Sequence, residues 1–213
     1  MGSDPTFEVR VSSDRPPGET LLVGLSHLGM AGVTAADYLV RHVESEQIGH
    51  VAANGFPAIT PFQNGEPRHP TRLYTLDGTE LSVLLGELFV PVWAAQPFAD
   101  ALAEWSASAG VEEIAVLHGV PFPHGPEEHA VFHVSTPSYR TRRLAGTDIQ
   151  PLGGGVLDGV IGEITTRGLD DRAPGGVPVD AEHLVGGRVA RGLLGGAVVL
   201  RGCHERPLRQ GRL

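Results

Sequence analysis

The sequence predicts an α/β fold: a three-layer αβα sandwich around a mixed, mostly parallel central sheet. Three observations carry this. Short apolar runs such as Thr20–Leu25 and residues 113–117 read as strands buried on both faces. Between them lie segments whose apolar residues recur at helical spacing. The 213 residues are enough for one domain with its own core.

Each element has its own warrant. Residues 7–11 alternate apolar and polar, as an edge strand does, and a Pro-Pro-Gly turn precedes the strand Thr20–Leu25. Residues 30–46 read as a helix, with Val33, Ala36, Val40 and Val43 on one face. Residues 47–53 form the next strand, and 54–70, rich in Pro, Gly and Asn, a surface loop. Thr71–Leu76 and residues 81–85 are strands joined across Asp77-Gly78, a hairpin signal that makes the sheet mixed. Pro97 suits the first turn of a helix whose stripe is Phe98, Leu102, Trp105 and Ala109, closed by Gly110. Residues 113–117 are a strand, 118–129 a loop and 130–134 a strand. Gly153-Gly154-Gly155 then opens a helix over 156–167 that carries Leu157, Val160, Ile161 and Ile164.

Charge narrows the partners. The net charge is −9, and every one of the 16 basic residues is an arginine. An acidic, lysine-free chain fits either a high-salt cytoplasm, where screening removes self-repulsion, or the codon usage of a GC-rich genome. It argues against nucleic acid as a partner. No apolar run approaches the roughly 18 residues of a membrane span, so no membrane partner is expected. The N-terminus lacks the basic-then-apolar pattern of a signal peptide, and a cytoplasmic location is expected. A single cysteine, Cys203, excludes an intrachain disulfide and a cysteine zinc cage.

The charge is uneven. Residues 1–182 hold ten Arg against 24 acids, whereas 183–213 hold six Arg against Glu205 alone. Residues 1–177 therefore read as the αβα domain, and 178–213 as an atypical basic, Gly/Arg-rich tail. Its composition matches translation in a shifted reading frame; the alternatives are a disordered segment and a genuine basic arm. Residues 193–200 are apolar, but Gly195-Gly196 weakens them as a strand.

Catalytic templates each miss by a position. The first strand-to-helix turn reads Gly24-Leu25-Ser26-His27-Leu28-Gly29. Ser26 stands where a dinucleotide fingerprint needs its second glycine, and Gly29 comes one residue late for a nucleophile elbow. A phosphate P-loop needs a lysine. A plain turn with close helix–sheet packing remains, with Gly24, Ser26, His27 and Gly29 kept as a ligand-turn candidate. Gly153, Gly154 and Gly155 could hold an anion on the free N–H groups of a helix start, or simply make a tight connection. His129 and His133 lie on a strand pattern, about 13 Å apart, too far for one zinc. His118 and His124 read as surface-loop histidines. The adjacent pairs Glu112-Glu113, Glu127-Glu128 and Asp170-Asp171 read as solvated surface. No catalytic, cofactor or metal residue is therefore assigned. Apolar residues in proline-stiffened loops are different: Phe56, Pro57, Ile59, Phe62, Phe89 and Trp93 suit protein–protein contact, or fold back to cap the core.

Several segments together resemble the proteasome assembly chaperone 2 family, in particular archaeal members from salt-loving organisms. They are Gly24 to Gly29 with Ala31-Gly32 and Thr34-Ala35-Ala36-Asp37-Tyr38-Leu39; Gly55-Phe56-Pro57-Ala58-Ile59-Thr60-Pro61-Phe62; Gly86-Glu87-Leu88-Phe89-Val90-Pro91; Gly119-Val120-Pro121 with Pro123-His124-Gly125-Pro126; and the glycine cluster. The resemblance runs from about residue 21 to about 176. It implies an αβα sandwich similar to nucleoside phosphorylases and peptidyl-tRNA hydrolases. It implies binding proteins, some assisting assembly of the proteasome core, and carries no catalytic residues. The chain ends Gly211-Arg212-Leu213 and lacks the hydrophobic–Tyr–any tail of some archaeal relatives. The family also continues into a further strand and an acidic helix, neither of which is legible after 177.

The expected function is a non-enzymatic protein-binding module, a homo-oligomer that assists proteasome assembly or binds proteasome core subunits without a cofactor. The alternative is a small-molecule enzyme of nucleoside-phosphorylase-like fold using the Ser26/His27 turn.

Overall fold

The carboxyl ends of the central strands collect the loops of interest, and the chain order explains how. The computed structural model describes residues 4–27, 30–56, 58–120, 131–170 and 194–201. Strands β1 (Thr6–Val11) and β2 (Thr20–Leu25) precede helix α1 (Ala31–His42) and strand β3 (Ser45–Asn54). A small hairpin, β4 (Phe62–Gln63) and β5 (Glu66–Pro67), leads to β6 (Thr71–Leu76) and β7 (Leu81–Gly86). Then come α2 (Val92–Ala109), β8 (Glu113–Val120) and β9 (Val131–Ser135). Next are α3 (Pro137–Tyr139), a π turn over Arg140–Leu144, β10 (Gln150–Pro151), α4 (Gly159–Asp170) and β11 (Leu194–Arg201).

The main sheet runs β1-β3-β6-β7-β2-β8-β11-β9-β10. It is mixed, but the expectation of a mostly parallel sheet is corrected. Strands β7, β2, β8 and β11 make a parallel centre, and the short β10 pairs in parallel with β9 at one edge. The pairs β1–β3, β3–β6, β6–β7 and β11–β9 are antiparallel. The tight turn at Asp77-Gly78, with Gly78 at φ 69°, forces β6 back against β7. Strand β3, which follows α1 after a short link, lies on the other flank of β6 and carries β1 at the edge.

Alternation along β2 divides the core into two layers. Leu21, Val23 and Leu25 face Phe98 and Leu102 of α2 and Ile161 and Ile164 of α4. Leu22 turns to the opposite face, where Val33 and Ala36 of α1 pack with Val83 and Leu85. The sheet is thus covered by α1 on one side and by α2 and α4 on the other.

Several boundaries move for identifiable reasons. Helix α1 ends at His42 because Val43 is extended, which releases Ser45 and Glu46 into β3. Helix α2 begins at Val92, capped by Pro91, so Pro97 lies inside it and leaves the Trp93 carbonyl without its usual donor. The 54–70 loop contains the β4–β5 hairpin, turned by Asn64 at φ 53° and Gly65 at φ 85°, a two-residue turn with both central φ angles positive. Helix α4 starts at Gly159 rather than at Val156, which is 93% exposed.

The reading of 193–200 as a poor strand is overturned, and with it the absence of any strand past 177. Strand β11 lies inside the sheet, parallel to β8 and antiparallel to β9. The register on β8 jumps from Leu194↔Ile114 to Gly196↔Ala115, so Gly195 is the extra residue of a bulge at the start of the ladder. The remainder of the 178–213 segment lies outside the described residues. Among the described residues, no helix is long and apolar enough to cross a membrane.

Candidate functional site

In the sheet β2 and β7 are parallel neighbours, yet β2 leads into α1 on one face and β7 into α2 on the other. The loops leaving them diverge, and such a point opens a crevice at the carboxyl edge. Ser26 and His27 leave β2 here; the Ser26 amide donates to the Gly86 carbonyl at 2.7 Å. The imidazole of His27 stacks on Phe89 with centroids 5.8 Å apart and meets His118 at 4.5 Å. Asp158 and Val160 close the far side around a cavity of about 20 Å³. That is room for about one water. The Ser26 hydroxyl donates to the Met30 sulfur at 3.3 Å rather than to an imidazole. Nδ1 of His27 is buried with no partner among the described residues. Burial and the neighbouring His27 hold the His118 pKa below its ordinary value, against an opposing pull from Asp158.

His118 corrects the sequence reading. It belongs to strand β8, not to a surface loop, because the apolar ladder continues through Val120. His124, His129, Glu127 and Glu128 lie outside the described residues. His133 is buried in β9, with Nδ1 3.0 Å from the Ser135 hydroxyl. Among the described residues, no group of three His, Cys, Asp or Glu side chains could hold a metal.

The glycines divide into two kinds. A Cβ at Gly24 would lie 2.4 Å from both the Ala36 Cβ and the Gly32 carbonyl oxygen, and one at Gly32 2.1 Å from the Leu117 oxygen. These two residues let α1 press against β2 and β8. Gly29 lies outside the described residues. Around Gly153, Gly154 and Gly155 there is open space, and three residues separate Gly155 from Gly159, the first residue of α4. The cluster does not open a helix as expected, so no row of helical N–H groups stands behind it for an anion.

The aromatic candidates are ordered from within. Phe7 packs edge-on against buried Phe98 at 5.0 Å, Phe56 rests on Phe7 at 5.2 Å, and Trp93 stacks on Phe56 at 5.3 Å. This column carries Trp93 out of the core, and the indole remains 65% exposed. Phe89 and Val92 are exposed on the same approach to α2. Ile59 and Phe62 are exposed on the 54–70 segment, and Pro57 lies outside the described residues.

Two buried ion clusters were not foreseen. Arg72, fully buried in β6, donates to the Tyr74 hydroxyl at 2.9 Å, the His69 carbonyl at 2.5 Å and Glu87 at 2.8 Å. Glu113, assigned to the solvated surface by its pairing with Glu112, is 3% exposed and accepts from Arg142 and Arg143. The signal for Arg72 was a charged residue inside a strand that otherwise carries no charge. The signal for Glu113 was an acid opening a buried one.

The fold has known counterparts. It is similar to the crystal structure of a protein of unknown function from Thermoplasma acidophilum (TM-score 0.68, 24% identity, covering 88% of this chain and 69% of that one). It is similar to Pyrococcus furiosus PbaA, described as an archaeal homolog of proteasome-assembly chaperone (TM-score 0.66, 17% identity, covering 92% and 72%). It is similar again to PbaB of the same organism, described as an archaeal proteasome activator (TM-score 0.66, 17% identity, covering 92% and 80%). At these identities the likeness establishes the fold. A search of curated proteins gave no match. The profile of the PAC2 family matches residues 21–177, and the chain belongs to that family.

Proposed function

We propose that this chain is a non-enzymatic protein-binding module that assists proteasome assembly or binds proteasome core subunits, and that it works as a homo-oligomer in the cytoplasm. The carrying observation is the aromatic surface at the start of α2. Trp93 and Phe89 are 65% and 53% exposed, yet Trp93 is held by the Phe56–Phe7–Phe98 column. Rigid exposed aromatics lose little entropy on docking, which is what a binding surface needs. Membership of the PAC2 family and the fold shared with PbaA and PbaB support the proteasome as the target. The cavity beside Ser26 and His27, with its room for one water, favours this reading over a phosphorylase-type enzyme. Residues 1–177 act as one domain in this reading, with β11 joined to its sheet.

Purified full-length chain mixed with recombinant proteasome α subunits tests it by size-exclusion chromatography with light scattering. A co-eluting complex, lost in Phe89→Ser with Trp93→Ser while the fold persists by circular dichroism, is expected. Independent elution of the two proteins over a range of salt overturns the proposal.

A further inference from the structure

A second concavity lies away from the Ser26/His27 crevice, between β3 and the segment ending at Pro70. It is an open cleft of about 490 Å³. Small-molecule sites occupy roughly 300–1,000 Å³. Ile59, Pro67 and Pro70 give it apolar walls, Gln47 and Thr60 polar ones, and Arg68 and His69 line it as well.

Its charge is under-neutralised. Arg68 and Arg72 share one carboxylate, Glu87. The buried Arg72 holds it at 2.8 Å, whereas the nearest Arg68 nitrogen stays 3.8 Å away. At that distance the contact is an ion pair rather than a hydrogen bond; the guanidinium donates instead to the neutral Gln63 amide oxygen, and its Nε is buried without a partner among the described residues. A guanidinium whose one carboxylate contact is this long one carries positive charge on the wall of a half-apolar cleft. His69, stacked on His50 at 3.6 Å, lies beside it.

We propose that this cleft binds a carboxylate carried on an apolar body, the anion on Arg68 and the body against Ile59, Pro67 and Pro70. The planar guanidinium fork matches a carboxylate. One loosely paired cation and hydrophobic walls suit a single negative charge with an apolar chain better than a multiply charged phosphate. The same chemistry comes from a free aliphatic acid or from the terminal carboxylate of a polypeptide.

Isothermal titration of the full chain separates these sources. The probes are octanoate and octanamide, and an acetylated Ala-Ala-Leu peptide with a free or amidated C-terminus. An acid should bind at least about tenfold more tightly than its amide, from the charge-assisted pair. Arg68→Gln should remove that preference while the thermal melt is preserved. Binding of octanoate alone identifies a free acid, and binding of the free peptide identifies a chain terminus. Should Arg68→Gln fold poorly, Arg68→Lys keeps the charge, loses the fork and should bind the acid more weakly than the parent. Equal binding of acids and amides, unchanged affinity in a folded Arg68 variant, or no binding by either acid overturns the proposal.

Discussion

Arg142 grips Glu113 through two donors: Nε at 3.0 Å and Nη2 at 2.7 Å both reach Oε1. Arg143 takes the other oxygen at 2.6 Å. The carboxylate lies 3% exposed on the first residue of β8, while the arginine side chains are 45% and 44% exposed. The pair thus ties the turn after β9 to the opening of a central strand.

Removing the arginines should hurt more than their exposure implies, because the buried carboxylate is left behind. Arg142→Ala with Arg143→Ala is expected to cost about 1–3 kcal/mol, the penalty of an unsatisfied buried acceptor moderated by water reaching the vacated surface. Urea unfolding measures it. Replacing Glu113 with Gln in the same background should recover part of the loss. A double variant as stable as the parent would show that the bridge contributes nothing.

The packing glycines give a sharper contrast. Gly32→Ala would place a Cβ 2.1 Å from the Leu117 carbonyl oxygen, so α1 must shift off β8. Overpacking of this kind costs about 1–3 kcal/mol. Gly154→Ala meets nothing within 4 Å and should change stability by less than about 0.5 kcal/mol. Thermal melts of the two variants decide whether the turn after β2 is specified by packing. Equal melting temperatures would contradict that account.

What was legible in the sequence was local. Thr20–Leu25 and Thr71–Leu76 carry short apolar patterns bounded by turn signals, and both appear as read. The stripe Phe98, Leu102 and Trp105 faces the core as its spacing requires. Strand direction was not legible, because β6 is antiparallel to β3 for reasons of chain path rather than composition. Helix starts were also poorly marked: Pro97 signals a first turn, but Pro91 five residues before Gln96 takes the cap and the helix tolerates the second proline. The crevice residues His118 and Asp158 meet His27 only through the sheet order, which no spacing in the chain encodes. The β4–β5 hairpin was not read from the sequence: its Asn64-Gly65 turn pair sits among other Pro, Gly and Asn residues that marked the whole of 54–70 as loop.

Acid should weaken the fold through its histidines. His50, His118 and His133 all have pKa values held below the ordinary 6.5, in each case with burial as the leading cause. A histidine depressed in the fold binds fewer protons there than in the unfolded chain, so its contribution is complete above pH 6.5. It is lost as the pH falls through the lower folded value. Stability should therefore decline below about pH 6.5 before most carboxylates titrate. His118→Gln should flatten part of that slope. Denaturation midpoints measured from pH 8 to pH 5 test it, and an identical slope in the variant would remove His118 from the account.

The segment after 176 provides the last test, because β11 joins two parts of the sheet. Strand β11 pairs with β8 from Leu194 to Arg201 and with β9 from Gly196 to Leu200. A chain cut after Gly176 would leave both strands with open ladder edges and would detach β9 and β10 from the parallel centre. Exposed edges of this sort drive association between chains. The truncated chain should melt without cooperativity or sediment as aggregates, whereas the parent melts in a single transition. A tail produced by a shifted reading frame makes the opposite prediction, since residues never selected for this sheet would add nothing to it. In that case the truncated chain keeps the parent's melting temperature, and sequencing the encoding DNA should reveal an acidic strand-and-helix segment in a neighbouring frame. Cooperative melting of the cut chain at the parent's temperature would therefore exclude β11 as part of the folded core.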